Sequence, residues 1–381
     1  MRRIPSTLLA IVLALLALGI VMLASTSSVK AALTYSDPHH FIKRQLLWLA
    51  LSIGVGAAVL RFDYHWWQKR PVLAVLGGLS LLLLVLVFVP GIGLKVGGSH
   101  RWLRLGPLSF QPSELAKFSL VIVLAAWMTF IGRRARNFVE GLLAPIMGIG
   151  LVLGLLLLEP DFGTTLLAGS AGMLIMFAGG SRLGYLACTG GLGVIGFIVA
   201  IMHDPVRIKR ILAFLWPDKY PDVAYHLAQS KIAFIRGGWF GVGLGNSIQK
   251  QFYLPEAHTD FILAIVGEEL GYVATLAVVL LFLGYLVCGL IISLKAQDPY
   301  GKLLGFGFTV MTVMQAAINV GVVTGCLPTK GLPLPFISYG GSSLMMSVAG
   351  TCVLLNIAQH SAAKQADEHT QLIGDRVHRD L

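Results

Sequence analysis

Apolar runs of roughly 20 residues recur along almost the whole of this chain, and that is the length one helical crossing of a bilayer needs. In hydrocarbon every backbone N–H and C=O must find its partner within the protein, which leaves helices as the structure such runs can adopt. Spans are expected near 7–25, 46–60, 71–89, 115–131, 141–158, 164–179, 184–202, 261–293, 303–324 and 343–358. The expected fold is therefore an all-α polytopic membrane protein with about ten transmembrane helices. Composition agrees: 56% of residues are hydrophobic and 12% charged, with a mean hydropathy of +0.79, outside the range of a soluble domain. The 261–293 run exceeds one crossing and is expected to tilt or break near Gly267 or Gly271. The first run follows Arg2 and Arg3 but shows no small-residue cleavage site, so it is read as a retained span.

An even number of spans puts both termini on one side. Arg61, Arg70, Arg133, Arg134, Arg136 and Arg182 fall in short loops that would be cytoplasmic with the N-terminus inside, as the positive-inside bias requires. The large loop 203–259, between spans 7 and 8, is then extracytoplasmic; it is basic, but long loops report topology poorly. Residues 1–361 are expected to form one transmembrane domain and 362–381 a short, charged, disordered cytoplasmic tail. The net charge of +11 suits an anionic surface or ligand. Nucleic acid is excluded as a partner, because the cations are spread over short loops and no binding module is present. The four cysteines show no CxxC or Cys/His spacing and read as small buried hydrophobes.

Three outer loops are unusual. Segment 97–117, GGSHRWLRLGPLSFQPSELAK, interleaves aromatic, basic, Gly and Pro residues, with Ser113 expected to cap the helix that follows. Glu114 and Lys117 are i,i+3 neighbours on that helix, suited to an ion pair or to a substrate contact. Segment 224–238, AYHLAQSKIAFIRGG, has the pattern of an interfacial amphipathic helix. Segment 327–343, LPTKGLPLPFISYGGSS, holds too much Pro and Gly for a regular helix, and such backbone is tolerated beside a bilayer where it lines a protein-enclosed cavity. No internal repeat is visible, which weighs against an inverted-repeat transporter.

Candidate chemistry concentrates in EAHTDFILAIVGEELG (256–271). Carboxylates at membrane depth are expensive unless paired or wet, and so mark functional positions. Asp260 is the leading candidate, as a general base or as a capping residue with Thr259; His258 precedes it by two residues, and helical phase brings Gly267 and Gly271 near its face. Glu269 falls on the opposite side, where a packing or ion-pair role is expected. Arg101, Arg104, Lys117, Arg207, Lys209 and Arg210 could meet a phosphorylated lipid and offset charge on a diphosphate leaving group; for Arg207, Lys209 and Arg210 simple headgroup contact is the preferred alternative. In EPDFGTT (159–165), Asp161 suits a helix cap as well as a site. The glycines of GWFGVGLGNS (238–247) lack the strand-to-helix context of a nucleotide loop. Ser338, Ser342 and Ser343 have no paired histidine and suit hydrogen bonding at a helix start or to a ligand.

Taken together, GGSHRWLRLGPLSFQPSELAKF, EPDFGTT, GGWFGVGLGNSIQKQFYLPEAHTDFILAIVGEELG and INVGVVTGCLPTKGLPLPFISYGGSS resemble, in order and between spans of the right number, the SEDS family of bacterial envelope proteins (the FtsW/RodA/SpoVE group). YLPEAHTDFI and PTKGLPLPFISYGGSS are more similar to the division-type than to the elongation-type members, and sporulation relatives share much of both. The resemblance implies a peptidoglycan glycosyltransferase that polymerises lipid II on the outer face of the bacterial inner membrane, at the division septum. It places the family's essential aspartate on Asp260. Substrate contacts are expected from His258, Arg101, Glu114, Lys117, Asp161, Lys330, Ser338, Ser342 and Ser343. No obligatory cofactor is implied, although a divalent cation, Mg2+ or Mn2+, would suit a diphosphate leaving group. Expected partners are a class B penicillin-binding protein, other divisome proteins, and lipid II with its undecaprenyl diphosphate product. A lipid II flippase is the alternative; it would need polar groups deep on both sides, whereas here they gather at the outer end. A scaffold that recruits division proteins would leave Asp260 dispensable.

Overall fold

The computed structural model describes residues 3–96, 99–106 and 108–379. Its helices are α1 (Arg3–Tyr35), α2 (His40–Arg61), α3 (Arg70–Leu86), α4 (Pro112–Ile131), α5 (Ala144–Leu158), α6 (Phe162–Ala178), α7 (Leu183–Met202), α8 (Pro205–Leu215), α9 (Pro221–Gly237), α10 (Ile262–Lys295), α11 (Pro299–Val323) and α12 (Gly341–Arg379). Eight of these are long and apolar enough to cross a membrane, and α3 and α6 are shorter apolar helices. Each of the ten runs expected from sequence falls mainly on one of them. The backbone of α12 stays helical to Arg379, past residue 361, where a disordered tail is expected.

The bundle centres on α4, α11 and α12, the most buried of the apolar helices, with α7 almost wholly exposed at the periphery. α10 packs along α11 and α1, while α2 lies along α12. Sequence explains the starts of several helices. Asp161, Asp204 and Asp298 accept hydrogen bonds from the backbone N–H groups of Thr164, Val206 and Gly301, satisfying donors the first helical turn leaves open. Two expected caps are not formed. Ser113 sits inside α4, with Pro112 in the first turn, and its hydroxyl has no partner. α10 begins after Phe261, so neither Thr259 nor Asp260 caps it.

The large loop 203–259 holds α8 and α9. The amphipathic 224–238 stretch is α9, packed along α10, and Ser230 Oγ donates to the carbonyl of Val323 at 2.7 Å. The 90–114 loop folds into a three-stranded antiparallel sheet, β1 (Gly93–Val96), β2 (Ser99–Leu105) and β3 (Leu108–Phe110). Leu103 pairs with Phe110. The two-residue alternation of a strand then puts Arg101 on the same face as buried Leu103, which aims it at the protein.

α10 breaks at Gly271, one of the two expected places, with φ +82° and ψ −177°. Around the break lies an ionic cluster. Glu268 accepts from Arg236 Nη1 at 2.8 Å and from the hydroxyl of Ser247. Glu269, fully buried, pairs with Lys250 Nζ at 2.8 Å and accepts from Ser25 Oγ at 2.7 Å, the ion-pair role expected for it. These bonds tie α1, α9 and the 238–254 loop to α10.

Two stability predictions follow from this junction. Glu269→Gln leaves the Lys250 ammonium buried without its counter-charge, a loss of about 3–5 kcal/mol that should show as a lower thermal midpoint in detergent. Gly271→Ala should also lower it: that backbone conformation costs a side-chain-bearing residue about 1–3 kcal/mol, and a Cβ there would meet Gly241 N and Trp239 O at 2.4 Å.

Candidate functional site

Two irregular segments meet where α10 begins, α11 ends and α12 begins: residues 254–261 and the Pro/Gly-rich 327–340. Their backbone groups are satisfied by side chains. Asn319 of α11 donates through Nδ2 to the carbonyls of Asp260 (2.8 Å) and Leu332 (2.7 Å). Ser338 Oγ accepts from Leu334 N–H at 2.8 Å and donates to the Thr259 carbonyl at 2.6 Å. Tyr339 N–H donates to the His258 carbonyl at 3.0 Å. One turn deeper on α11, Gln315 donates to the Pro333 carbonyl at 2.9 Å and accepts from Lys117 at 2.7 Å. Buried polar groups require such partners, so these bonds fix the two segments against each other.

Beside this seam opens a cleft of about 270 Å³. Arg101, Arg207, Arg210 and Lys330 line it together with Asp161 and the apolar side chains of α6, α7 and α8. Arg101 is held by backbone: Nε donates to the Glu159 carbonyl at 3.1 Å and Nη2 to that of Pro160 at 2.5 Å. Arg207 lies over the Phe162 ring, 3.3 Å from its centroid, while Lys330 is 5.1 Å from that of Phe197. Burial lowers the pKa of Lys330.

Gly331 joins the cleft to Asp260. It lines the opening, and a Cβ on it would lie 2.8 Å from Asp260 Oδ2. The pKa of Asp260 is pushed up to about 7, first by burial and then by Glu256 and Asp161, against the opposing pull of Arg101 and Arg210. Sequence left the contest between burial and cations open; the structure decides it for burial. A carboxylate that exchanges its proton near neutral pH is matched to general-base work.

Of the residues expected from sequence, Asp260, Arg101, Asp161 and Lys330 converge here. Asp161 is also the α6 cap, with Oδ2 accepting from Thr164 Oγ1 at 2.9 Å. Arg207 and Arg210, for which headgroup contact was preferred, line the cleft, whereas Lys209 and Arg104 do not. Glu114 and Lys117 form a buried ion pair at 2.9 Å beside a separate small cavity within the bundle. His258 packs between Phe41 and Tyr339; burial, with Lys30 nearby, lowers its pKa to about 4, so it is neutral at neutral pH. Ser342 Oγ accepts from Gln111 N–H at 3.3 Å, and Ser343 is buried at the start of α12. Asn319 and Gln315 are the contributors sequence missed. Their signal was two amides, one turn apart, on an otherwise apolar helix. Among the described residues no three His, Cys, Asp or Glu side chains gather as a metal cage would need; the carboxylates beside the cleft include Asp161, Asp260 and Asp204, the last paired with Arg207 Nε at 3.0 Å.

The FtsW/RodA/SpoVE family, described as cell cycle proteins, matches residues 6–363. The chain belongs to this family. A protein of Trichlorobacter lovleyi named probable peptidoglycan glycosyltransferase FtsW is 43% identical over 355 residues, covering 92% of each chain. One of the same name from Saccharophagus degradans is 42% identical over 359 residues, 93% of this chain and 91% of that one. Among solved structures, a chain of a peptidoglycan synthase complex that coordinates polymerization and crosslinking matches with a TM-score of 0.74 at 30% identity, covering 93% of this chain and 97% of the other. The rod shape-determining protein RodA of Thermus thermophilus matches with a TM-score of 0.67 at 27% identity, covering 92% and 95%.

In this member of the family Glu159 is fully buried and neither of its carboxyl oxygens has a hydrogen-bond partner. Burial, reinforced by Asp161, raises its pKa to about 8. The unfolded chain releases this proton near the ordinary value of 4.5, so this group lowers stability progressively as pH rises from about 4.5 to about 8. Glu159→Gln should therefore raise the thermal midpoint at pH 8 and leave it unchanged near pH 4.5. Gly331→Ala should leave the fold intact while displacing the Asp260 carboxylate; misplacement by about 1 Å can cost about 10²-fold, read as initial rate on the substrate proposed below.

Proposed function

We propose that this protein is a peptidoglycan glycosyltransferase that polymerises lipid II on the outer face of the bacterial cytoplasmic membrane, for septal wall synthesis. The observation that carries this reading is the juxtaposition, through Gly331, of the Asp260 carboxylate with a cleft lined by four cations. Relatives at 43% and 42% identity carry the peptidoglycan glycosyltransferase name.

Asp260 acts as general base on the acceptor GlcNAc 4-hydroxyl, which attacks C1 of the MurNAc at the reducing end of the growing chain with inversion. The C1–oxygen bond to undecaprenyl diphosphate breaks as the new glycosidic bond forms. Arg101, Arg207, Arg210 and Lys330 stabilise charge as it develops on the diphosphate, in a site whose burial strengthens each interaction. Because Arg101 is held by carbonyls rather than by a carboxylate, its charge stays available to the leaving group. The apolar wall formed by Phe162, Phe197, Ile201 and Ile211 suits the start of the prenyl chain. Mg2+ or Mn2+ would add charge neutralisation; Asp161, which lines the cleft, is the carboxylate that would hold it, one or two being what Mg2+ takes from a protein. Ten membrane crossings, both termini in the cytoplasm and a class B penicillin-binding protein as partner, alongside other divisome proteins, complete the reading.

The test is polymerisation of labelled lipid II by the purified chain with its partner transpeptidase, under penicillin to suppress cross-linking. Asp260→Ala should remain folded and partner-bound and lose about 10²–10⁴-fold in rate, the range of general-base catalysis. The wild-type rate should rise as pH passes through about 7, where Asp260 gives up its proton. Glycan synthesis by Asp260→Ala at the wild-type rate would sink the assignment of the base. No chains from either form, with the complex intact, would favour lipid transport or scaffolding.

A further inference from the structure

A furrow of about 260 Å³ runs between α3, α4 and α5, its lining almost entirely apolar and including Gly77, Leu81, Leu120 and Gly148. Its polar residues, Ser80 and Ser119, are spent on each other at 2.7 Å. Trp127 lines both this furrow and an adjoining recess of about 390 Å³ bounded by Arg70, Leu73, Phe130, Arg134 and Glu140. The two adjoin at Trp127, an apolar shaft on one side of it and a cationic mouth on the other. The mouth lies where α3 begins, α4 ends and α5 follows, beside exposed Arg133 and Arg136, at the end the positive-inside bias assigns to the cytoplasm. Its one acid, Glu140, is taken up by Arg134 at 2.8 Å, and Arg70 makes no ion pair among the described residues. Trp127 donates its indole N–H to the Glu140 carbonyl at 3.0 Å, which places an amphipathic ring where shaft and mouth meet.

We propose that shaft and mouth together bind one anionic glycerophospholipid of the inner leaflet, with its phosphate at Arg70 and Arg134 and one acyl chain lying between α3 and α5. Charge decides the occupant. Basic pockets between transmembrane helices at the cytoplasmic side select anionic headgroups, and guanidinium groups match phosphate geometry. An apolar helix from another protein would fill the shaft but leave the arginine mouth unanswered. The site lies on different residues from the outer cleft and does not depend on the reading of that cleft.

Native mass spectrometry of the purified full chain, titrated with phosphatidylglycerol or with phosphatidylcholine of the same acyl chains, tests this. One phosphatidylglycerol should bind in preference. Arg70→Gln with Arg134→Gln should weaken it about 30-fold, each cationic contact contributing about fivefold, without changing phosphatidylcholine binding. A Cβ at Gly148 or Gly77 meets nothing within 4 Å. Gly148→Leu, or Gly77→Leu on the facing wall, should therefore fill the shaft and abolish binding at an unchanged thermal midpoint. Equal binding of the two lipids would overturn the proposal. So would phosphatidylglycerol binding that survives both leucines, because the lipid would then sit on the rim alone.

Discussion

The half of this protein that holds the cleft depends on a backbone constraint met by the Asn319 side chain. Residues 254–261 and 327–340 are not regular helix, so their peptide groups lack the internal partners a helix supplies. Asn319 bonds the carbonyls of Asp260 and Leu332 at once, Ser338 bonds both strands of the seam, and Gln315 passes the same support down to the buried Lys117–Glu114 pair. Because α11 is rigid and central, it sets where Asp260 sits. A hydrogen-bonded frame of this kind lets a carboxylate stand at the edge of an open cleft without the loop collapsing onto it.

Electrostatics in the cleft follow from that placement. Four cations line it, yet Asp260 holds its proton more tightly than an ordinary aspartate, since burial and its acidic neighbours outweigh Arg101 and Arg210. Arg101 reaches the cleft because β2 alternates and its guanidinium is steered by two carbonyls of the 159–160 turn. The same turn supplies Asp161 as the α6 cap. One short acidic turn thus starts a helix, aims a cation and raises the pKa of the proposed base. The ionic cluster of Glu268, Glu269, Arg236 and Lys250 is separate from this chemistry and holds α10 to its neighbours where Gly271 interrupts the helix.

Periodicity and run length made the helices legible, because twenty apolar residues in hydrocarbon have one economical backbone structure. The break at Gly271, the pairing of Glu269 and the cap at Asp161 were legible for local reasons: an achiral residue in a long run, a charge on the wrong helix face, an Asp before a helix. The sheet at 93–110 was hidden by its short strands, and Ser113 misled because Pro112 already occupied the first turn. His258 was read from its distance of two residues to Asp260, yet its ring turns into an aromatic cluster with Phe41 and Tyr339.

By itself the sequence determined that this chain is a bundle of membrane helices with a cluster of carboxylates at the mouth of one long run, and that Asp260 leads among them; each of those facts is written in local composition. Only the tertiary structure decided which cations stand near Asp260. Arg101, Arg207, Arg210 and Lys330 come from three loops separated by as many as 229 positions, and nothing local relates them. It also raised the pKa of that carboxylate, because burial and the net field of neighbours are sums over the whole fold.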